Sequence, residues 1–208
     1  AEKTIVLAID VSGSMRATDV QPDRITAAKE AAKAFVADLP RTVRIAVVQF
    51  AGTAAVVQPP THNREDALAA IERFQLQRGT AIGSGIVLSL ATLLPDAGID
   101  LSQITGQRAM PAGPNDKPRP ESTPVEPGSF GSAAIILLTD GQRTTGPDSI
   151  EAAKMAADRG VRVYTVGIGT KEGDSLGFDG WSIRVRLDEE TLKQVAMATR
   201  AEYFYAVT

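Results

Sequence analysis

The 208-residue sequence predicts an α/β fold: a doubly wound, mostly parallel six-stranded sheet with one antiparallel edge strand and helices on both faces. Three observations carry this. Short apolar runs of strand length alternate with longer stretches whose apolar residues recur at helical spacing, the pattern of β-α-β units. Two strand-like runs are joined by so short a turn that they must be antiparallel. A content of 43% hydrophobic and 23% charged residues is that of a chain that buries a core and does not stay disordered.

The elements follow in order. "TIVLAI" (4–9) is an unbroken apolar run, as expected of a strand covered on both faces. Over 22–39, Ile25, Ala28, Ala32, Phe35, Val36 and Leu39 share one helical face, and Pro22 suits a first turn. "VRIAVVQF" (43–50) reads as a strand, and "AAVVQ" (54–58) follows the turn around Gly52 as its antiparallel edge neighbour. Asn63 with Asp66 resembles a capping box opening a helix that runs to Phe74. A second helix is expected from about Thr80 to Leu94.

Residues 97–132 break the rhythm, since six of the twelve prolines fall between Met110 and Gly128. So little apolar surface cannot form a core and favours extended conformations. The alternation resumes directly afterwards, so this stretch reads as an insertion loop within a single domain of residues 1–208. "AAIILLT" (133–139) is the most hydrophobic strand and therefore central. A helix over 147–160 ends at Gly160, "VRVYTVGIG" (161–169) is the next strand, and 170–187 form a long loop holding the only tryptophan, Trp181. A helix over 188–200 opens on an acidic cluster that suits its dipole, and "EYFYAV" (202–207) is the last strand.

Bulk properties exclude several function classes. A net charge of -3 gives no basic excess for nucleic acid. Without cysteine there are no disulfides, zinc-thiolate sites or cysteine nucleophiles. No apolar run approaches the roughly 18 residues of a membrane span, and the first residues lack a signal-peptide pattern. The chain reads as a soluble domain, and its abrupt start as that of a fragment cut from something longer.

The chemistry gathers at strand ends. Asp10, Ser12 and Ser14 follow the first strand at every second position, in "DVSGS". Binding groups in such sheets collect at the carboxyl ends of the parallel strands, where strand order reverses. Tracing the chain up and down brings "RGTAIGSG" (78–85), with Thr80, to that same edge, and the central strand delivers Asp140 there in "TDG". Five oxygen-bearing side chains thus converge from three segments. Each has a plain alternative: turn or helix capping for Asp10, Ser12 and Ser14, an N-cap for Thr80, an Asp-Gly turn for Asp140. Asp19 belongs to the same rim, with a structural role favoured over an auxiliary ion or partner contact. His62 follows the descending edge strand and falls at the opposite edge, which argues against an enzymatic role. Trp181 follows a rising strand and belongs to the same edge as the five oxygens, either in a small packed hairpin or on a partner-binding rim with Phe178, Ile183, Arg184 and Arg186.

"DVSGS", "GTAIGSG" and "TDG", in this order, make the chain resemble the von Willebrand factor A (VWA) domain family, of Rossmann-like fold, over its whole length except the 97–132 insertion. The resemblance implies a metal-ion-dependent adhesion site (MIDAS) holding Mg²⁺, or Mn²⁺ or Ca²⁺. Ser12, Ser14 and Thr80 would ligate directly, with Asp10 and Asp140 often acting through water. Because Mg²⁺ prefers about six oxygens and three of these are neutral hydroxyls, the ion stays electrophilic. It can then accept an acidic side chain of a partner protein, with no bond broken. "DVSGSMRATDVQPDRITAAK" and "TVGIGTKEGD…VRLDEETLKQVA" are similar to bacterial membrane-anchored VWA proteins of the MoxR-associated and aerotolerance (Bat) group. That implies a MoxR-type AAA+ ATPase or an envelope protein as partner, and a cell-membrane anchor of undetermined side. The family's pattern adds a final helix after the last strand, and the given sequence ends just after "EYFYAV"; either that helix was cut away or this copy lacks it, so the resemblance leaves affinity switching by its movement open.

The competing reading is a Mg-dependent aspartyl-phosphate enzyme or receiver-like domain. It is disfavoured because position 12 is a serine where a D-x-D pattern needs aspartate, and no acidic pair precedes Asp10 in its strand. Dinucleotide binding lacks its glycine pattern, and no G-x-S-x-G nucleophile elbow occurs.

Overall fold

The computed structural model describes residues 2–101, 123–143, 148–178 and 180–206. Most of the expected insertion, 102–122, lies outside the described residues.

Strand β1 (Thr4–Asp10) runs through the middle of the molecule, and its alternating side chains feed two cores. Val6 and Ala8 join one apolar cluster, Leu7 and Ile9 the other. Burial on both faces is why the strand is apolar throughout. It pairs in parallel with β2 (Arg44–Phe50) and β4 (Ala133–Thr139). Outside β4 lie β5 (Arg162–Gly167) and β8 (Tyr203–Tyr205), both parallel, and outside β2 lies the antiparallel β3 (Ala54–Thr61). The six-stranded order is β3-β2-β1-β4-β5-β8, so strand order reverses between β1 and β4.

Helices α1 (Arg24–Asp38) and α2 (Arg64–Glu72) cover one face through Ala28, Ala32, Val36 and Ile71. Helices α3 (Ile82–Leu93), α4 (Ser149–Asp158) and α5 (Glu189–Ala198) cover the other. Helix α3 approaches β2 so closely that a Cβ on Gly85 would stand 2.6 Å from the Phe50 ring.

Several boundaries differ from the sequence reading. Strand β3 continues to Thr61 through Pro59 and Pro60, which an edge strand tolerates because it has one unpaired side. Its pairing with β2 slips between Ile45 and Val47 and again between Val47 and Val48. At α2, Asn63 caps Glu65 and Asp66, but its own N–H donates to Thr61 Oγ1 at 3.0 Å, so the reciprocal arm of a capping box is replaced. Helix α3 starts at Ile82, and its cap position is Ala81, so Thr80 is not the N-cap. Within the long loop expected over 170–187 lies a hairpin, β6 (Asp174–Phe178) and β7 (Trp181–Val185), the packed-hairpin alternative offered for Trp181. Among the described residues, which end at 206, the last strand comprises the three residues of β8.

The described stretch 123–132 of the insertion returns at the N-terminal edge of the parallel strands. Val125 N donates to Asp158 O, Phe130 N to Gly160 O, and Thr4 N to Ser132 O. That edge is opposite the one where Asp10 ends β1.

Candidate metal centre

The reversal of strand order opens a crevice above β1 and β4, and both strands end there in polar residues. Asp10 closes β1 and has no exposed surface. Its Oδ1 accepts from Ser12 N at 2.8 Å, which turns the chain over the end of the sheet. Its Oδ2 accepts from Thr139 Oγ1 at 2.7 Å, across from the last residue of β4. A short 3-10 turn, Gly13–Arg16, then brings Ser14 Oγ to 3.1 Å from Ser12 Oγ. Ser14 Oγ donates to Asp140 Oδ2, and Gln142 N donates to Asp140 Oδ1 at 3.1 Å.

The turn after Asp140 is possible only with glycine. Gly141 has φ 83°, and a Cβ there would meet the Asp188 carbonyl at 2.5 Å. The close approach arises because Asp188 N donates to Asp140 O at 2.8 Å, tying the start of α5 to the site.

Asp10, Ser12, Ser14 and Asp140 are therefore brought together by direct hydrogen bonds. Thr80 is buried in the neighbouring loop, which is pinned by Gln77 N to Val11 O at 2.7 Å and Ala81 N to Ala51 O at 2.6 Å. Ser12 and Gln77 form an isolated parallel bridge, so this loop runs directly alongside the D-x-S-x-S turn.

Burial dominates the electrostatics. Desolvation, followed by the charge of Asp140, pushes the Asp10 carboxyl up to about 7 despite the bonds from Ser12 and Thr139. Desolvation also raises Asp140, with Ser14, Gln142 N and Arg24 pulling the other way. Two buried carboxylates whose neighbours cannot fully stabilise their charge form a site that a cation would complete. The donors are hydroxyl and carboxylate oxygens, and among the described residues no cluster of three or more His, Cys, Asp or Glu is placed to hold a metal. This all-oxygen, hydroxyl-rich set fits a hard divalent cation of the Mg²⁺, Mn²⁺ or Ca²⁺ type.

Two contributors were missed by the sequence reading. Thr139 stands in "TDG" but was passed over, although its hydroxyl braces Asp10. Arg24 is fully buried, donating from Nε and Nη2 to Asp19 at 2.7 and 2.6 Å and from Nη1 to Asp140 Oδ2 at 3.2 Å. A signal existed: a cation at the first position of a helix opposes the helix dipole, so Arg24 needed another reason to be there.

Asp19 is largely buried, and burial works against its charge, but Arg24 and Thr170 hold its carboxyl below the usual range. Its place in the structure is that of a brace. The β6–β7 hairpin sits on the same face, through Thr18 N to Asp174 Oδ2 at 2.8 Å and a small cluster of Ala17, Leu176 and Val185. Trp181 at its tip is 77% exposed, so the hairpin is packed on the domain while the indole is not. Phe178 pairs with Trp181 across the turn, and Ile183, Arg184 and Arg186 are exposed. His62 lies at the opposite edge, its ring against Arg41 O and Glu2.

A doubly wound sheet whose D-x-S-x-S and T-D-G turns meet across the switch point defines the architecture of a von Willebrand factor type A domain. Family models of that domain match residues 5–142 and, separately, 129–208. The chain belongs to the von Willebrand factor type A domain family. It is 36% identical over 208 residues to the UPF0353 protein of Mycolicibacterium gilvum, covering 97% of this chain and 55% of the relative. With the UPF0353 protein of Nocardia farcinica it shares 34% over 217 residues, covering 98% and 58%. The chain thus spans a little over half the length of these relatives.

Among solved structures, BatB from Bacteroides thetaiotaomicron superposes with a TM-score of 0.73 at 27% identity, covering 98% of this chain and 89% of that one. An aerotolerance-related membrane protein from Bacteroides fragilis gives 0.73 at 24%, covering 98% and 90%. The fold is also that of proximal thread matrix protein 1 from the mussel byssus, with zinc in its MIDAS motif (TM-score 0.59, 19% identity, 99% and 42% covered). Among the described residues of this chain, no helix is long and apolar enough to cross a membrane.

Proposed function

We propose that this chain is a non-enzymatic, metal-dependent protein-binding domain. Ser12, Ser14 and Thr80 hold one divalent cation directly, Asp10 and Asp140 hold it directly or through water, and the ion accepts a carboxylate from a partner protein. The observation that carries this is the junction of Ser12 Oγ, Ser14 Oγ and Asp140 Oδ2 at the switch point, backed by a buried Asp10. The chain's own residues supply orientation. Thr139 and Ser12 N fix both oxygens of Asp10, and Asp188 fixes the backbone that presents Asp140. The ion supplies the electrophile.

The rim supplies selectivity, because an ion with mainly neutral ligands grips any accessible carboxylate. Trp181, Ile183, Arg184 and Arg186 are exposed beside the site, and Phe178 closes the same hairpin. A MoxR-type AAA+ ATPase or an envelope assembly protein is the partner that the likeness to Bat proteins suggests, with this domain as the soluble part of a membrane-anchored bacterial protein. Residues 1–208 act as one domain, with residues 123–132 of the insertion held at the edge away from the metal.

The aspartyl-phosphate reading is less well supported. Asp10 has no exposed surface, and both of its oxygens already accept hydrogen bonds, which suits a fixed ligand better than a nucleophile. The deciding experiment is titration calorimetry with Mn²⁺. One site is expected, abolished in Asp10→Ala; undiminished binding in that variant overturns the reading. Retention of a partner by the full-length protein, lost on chelation, tests the second half.

A further inference from the structure

We propose that Arg24 is a built-in competitor for Asp140 and sets the affinity of the site for its cation, an inference that rests on the metal-binding reading above. The guanidinium is fully buried and fixed on three sides. Its fork grips both oxygens of Asp19, Nη2 also donates to Val185 O at 3.0 Å, and a Cβ on Gly169 would lie 2.9 Å from Cζ. Held in this plane, Arg24 directs Nη1 at Asp140 Oδ2, the same oxygen that receives the Ser14 hydroxyl. The oxygen most directly linked to the ligand hydroxyls thus already carries a cationic donor.

Charge makes the consequence definite. Asp10, Asp140 and Asp19 contribute three formal negative charges, and Arg24 one positive charge. The fork on Asp19 absorbs most of the arginine's charge, and the remainder falls on Asp140. A cation entering the site must share Asp140 with Arg24 or displace it. Arg24 therefore weakens the ion's hold on this carboxylate and leaves the bound ion shorter of negative charge, which favours an external acid. Asp19 acts as the counterweight: it draws positive charge away from the site and, by accepting from Thr170 N at 2.9 Å and Thr170 Oγ1 at 2.8 Å, holds the loop that leads into the hairpin.

The test uses two variants of the whole chain, with Mn²⁺ alone as the probe in calorimetry. Asp19→Asn keeps the shape but leaves the arginine's charge unbalanced beside Asp140, so Mn²⁺ binding should weaken at least about fivefold. Arg24→Met combined with Asp19→Asn removes the buried pair as a unit and with it the competitor, so binding should tighten at least about fivefold. Opposite signs are required, because a merely structural pair would loosen the site and weaken binding in both variants. Circular dichroism checks folding. If the double variant does not fold, Arg24→Gln combined with Asp19→Asn, which keeps a polar pair in place of the ion pair, is used instead, and unchanged or weaker binding there overturns the inference. Asp10→Ala separates the two readings: metal binding that survives it refutes the metal site itself. Loss in Asp10→Ala with no tightening in a folded double variant refutes only the role of Arg24.

Discussion

Thr139 offers a quantitative test of how the site is built. Its side chain is fully buried, donates to Asp10 Oδ2 at 2.7 Å and accepts from Gly141 N at 3.1 Å. Thr139→Val keeps the volume and removes both bonds. A hydrogen bond to a charged group contributes about 1.5–3 kcal/mol, and a neutral one about 0.5–1.5 kcal/mol. The sum at high pH, with Asp10 ionised, is about 2–4.5 kcal/mol. Below the raised Asp10 value of about 7 the carboxyl is protonated, so both lost bonds become neutral ones. The expected loss then falls to about 1–3 kcal/mol. Urea unfolding followed by far-UV circular dichroism, in chelator at pH 8 and pH 5.5, measures both values. A loss below about 0.5 kcal/mol at pH 8, or one larger at pH 5.5 than at pH 8, would refute the bracing role.

Three further outcomes are expected. The folded Asp10 value of about 7 lies above its ordinary 3.8, so in chelator this group's contribution to stability is complete below about pH 4 and lost as pH rises through 7. Because a cation must displace that proton, Mn²⁺ affinity should fall from pH 8 to pH 6 with proton release. Calorimetry in two buffers of different ionisation enthalpy detects the release, and a pH-independent affinity contradicts it. Trp181→Ala should shift stability by no more than about 0.5 kcal/mol, as expected for so exposed a side chain, while weakening partner capture by more than about 1 kcal/mol. Thermal melts and binding measured in parallel check both halves, and an unfolded variant would contradict the first. Deleting 106–122 should leave Mn²⁺ affinity within about twofold, since the described stretch 123–132 of the insertion meets the opposite edge of the sheet. A folded deletion variant that no longer binds metal counts against that placement.

How far the sequence disclosed this arrangement depended on the range of the interactions involved. β1, β2 and β4 were legible because burial on both faces leaves a nearly unbroken apolar run, and β5 because its buried residues alternate. The meeting of Asp10 with Asp140 was legible because both stand at strand ends and the up-down trace is forced by loop lengths. The Arg24 network was not, since its partners lie 5, 116 and 161 positions away and nothing local couples them. The β6–β7 hairpin was legible only as one of two readings of Trp181: apart from Leu176 and Val185 its described side chains are largely solvated, so no alternating pattern fixes its strands. Thr80 was read as a ligand with a helix N-cap as its plain alternative, and the structure removes that alternative because Ala81 holds the cap position.

Pro59 and Pro60 in β3, with the two slips in its pairing, also bear on how the domain avoids its own kind. A proline offers no N–H, and each slip tilts the remaining donors and acceptors out of line, so the outer side of β3 gives an approaching strand no regular ladder to extend. At the other margin β8 offers only three residues among those described. Both flanks of the sheet are thus poor templates for edge-to-edge stacking into fibrils. Copies crowded together on a surface could then stand side by side without polymerising through their strands.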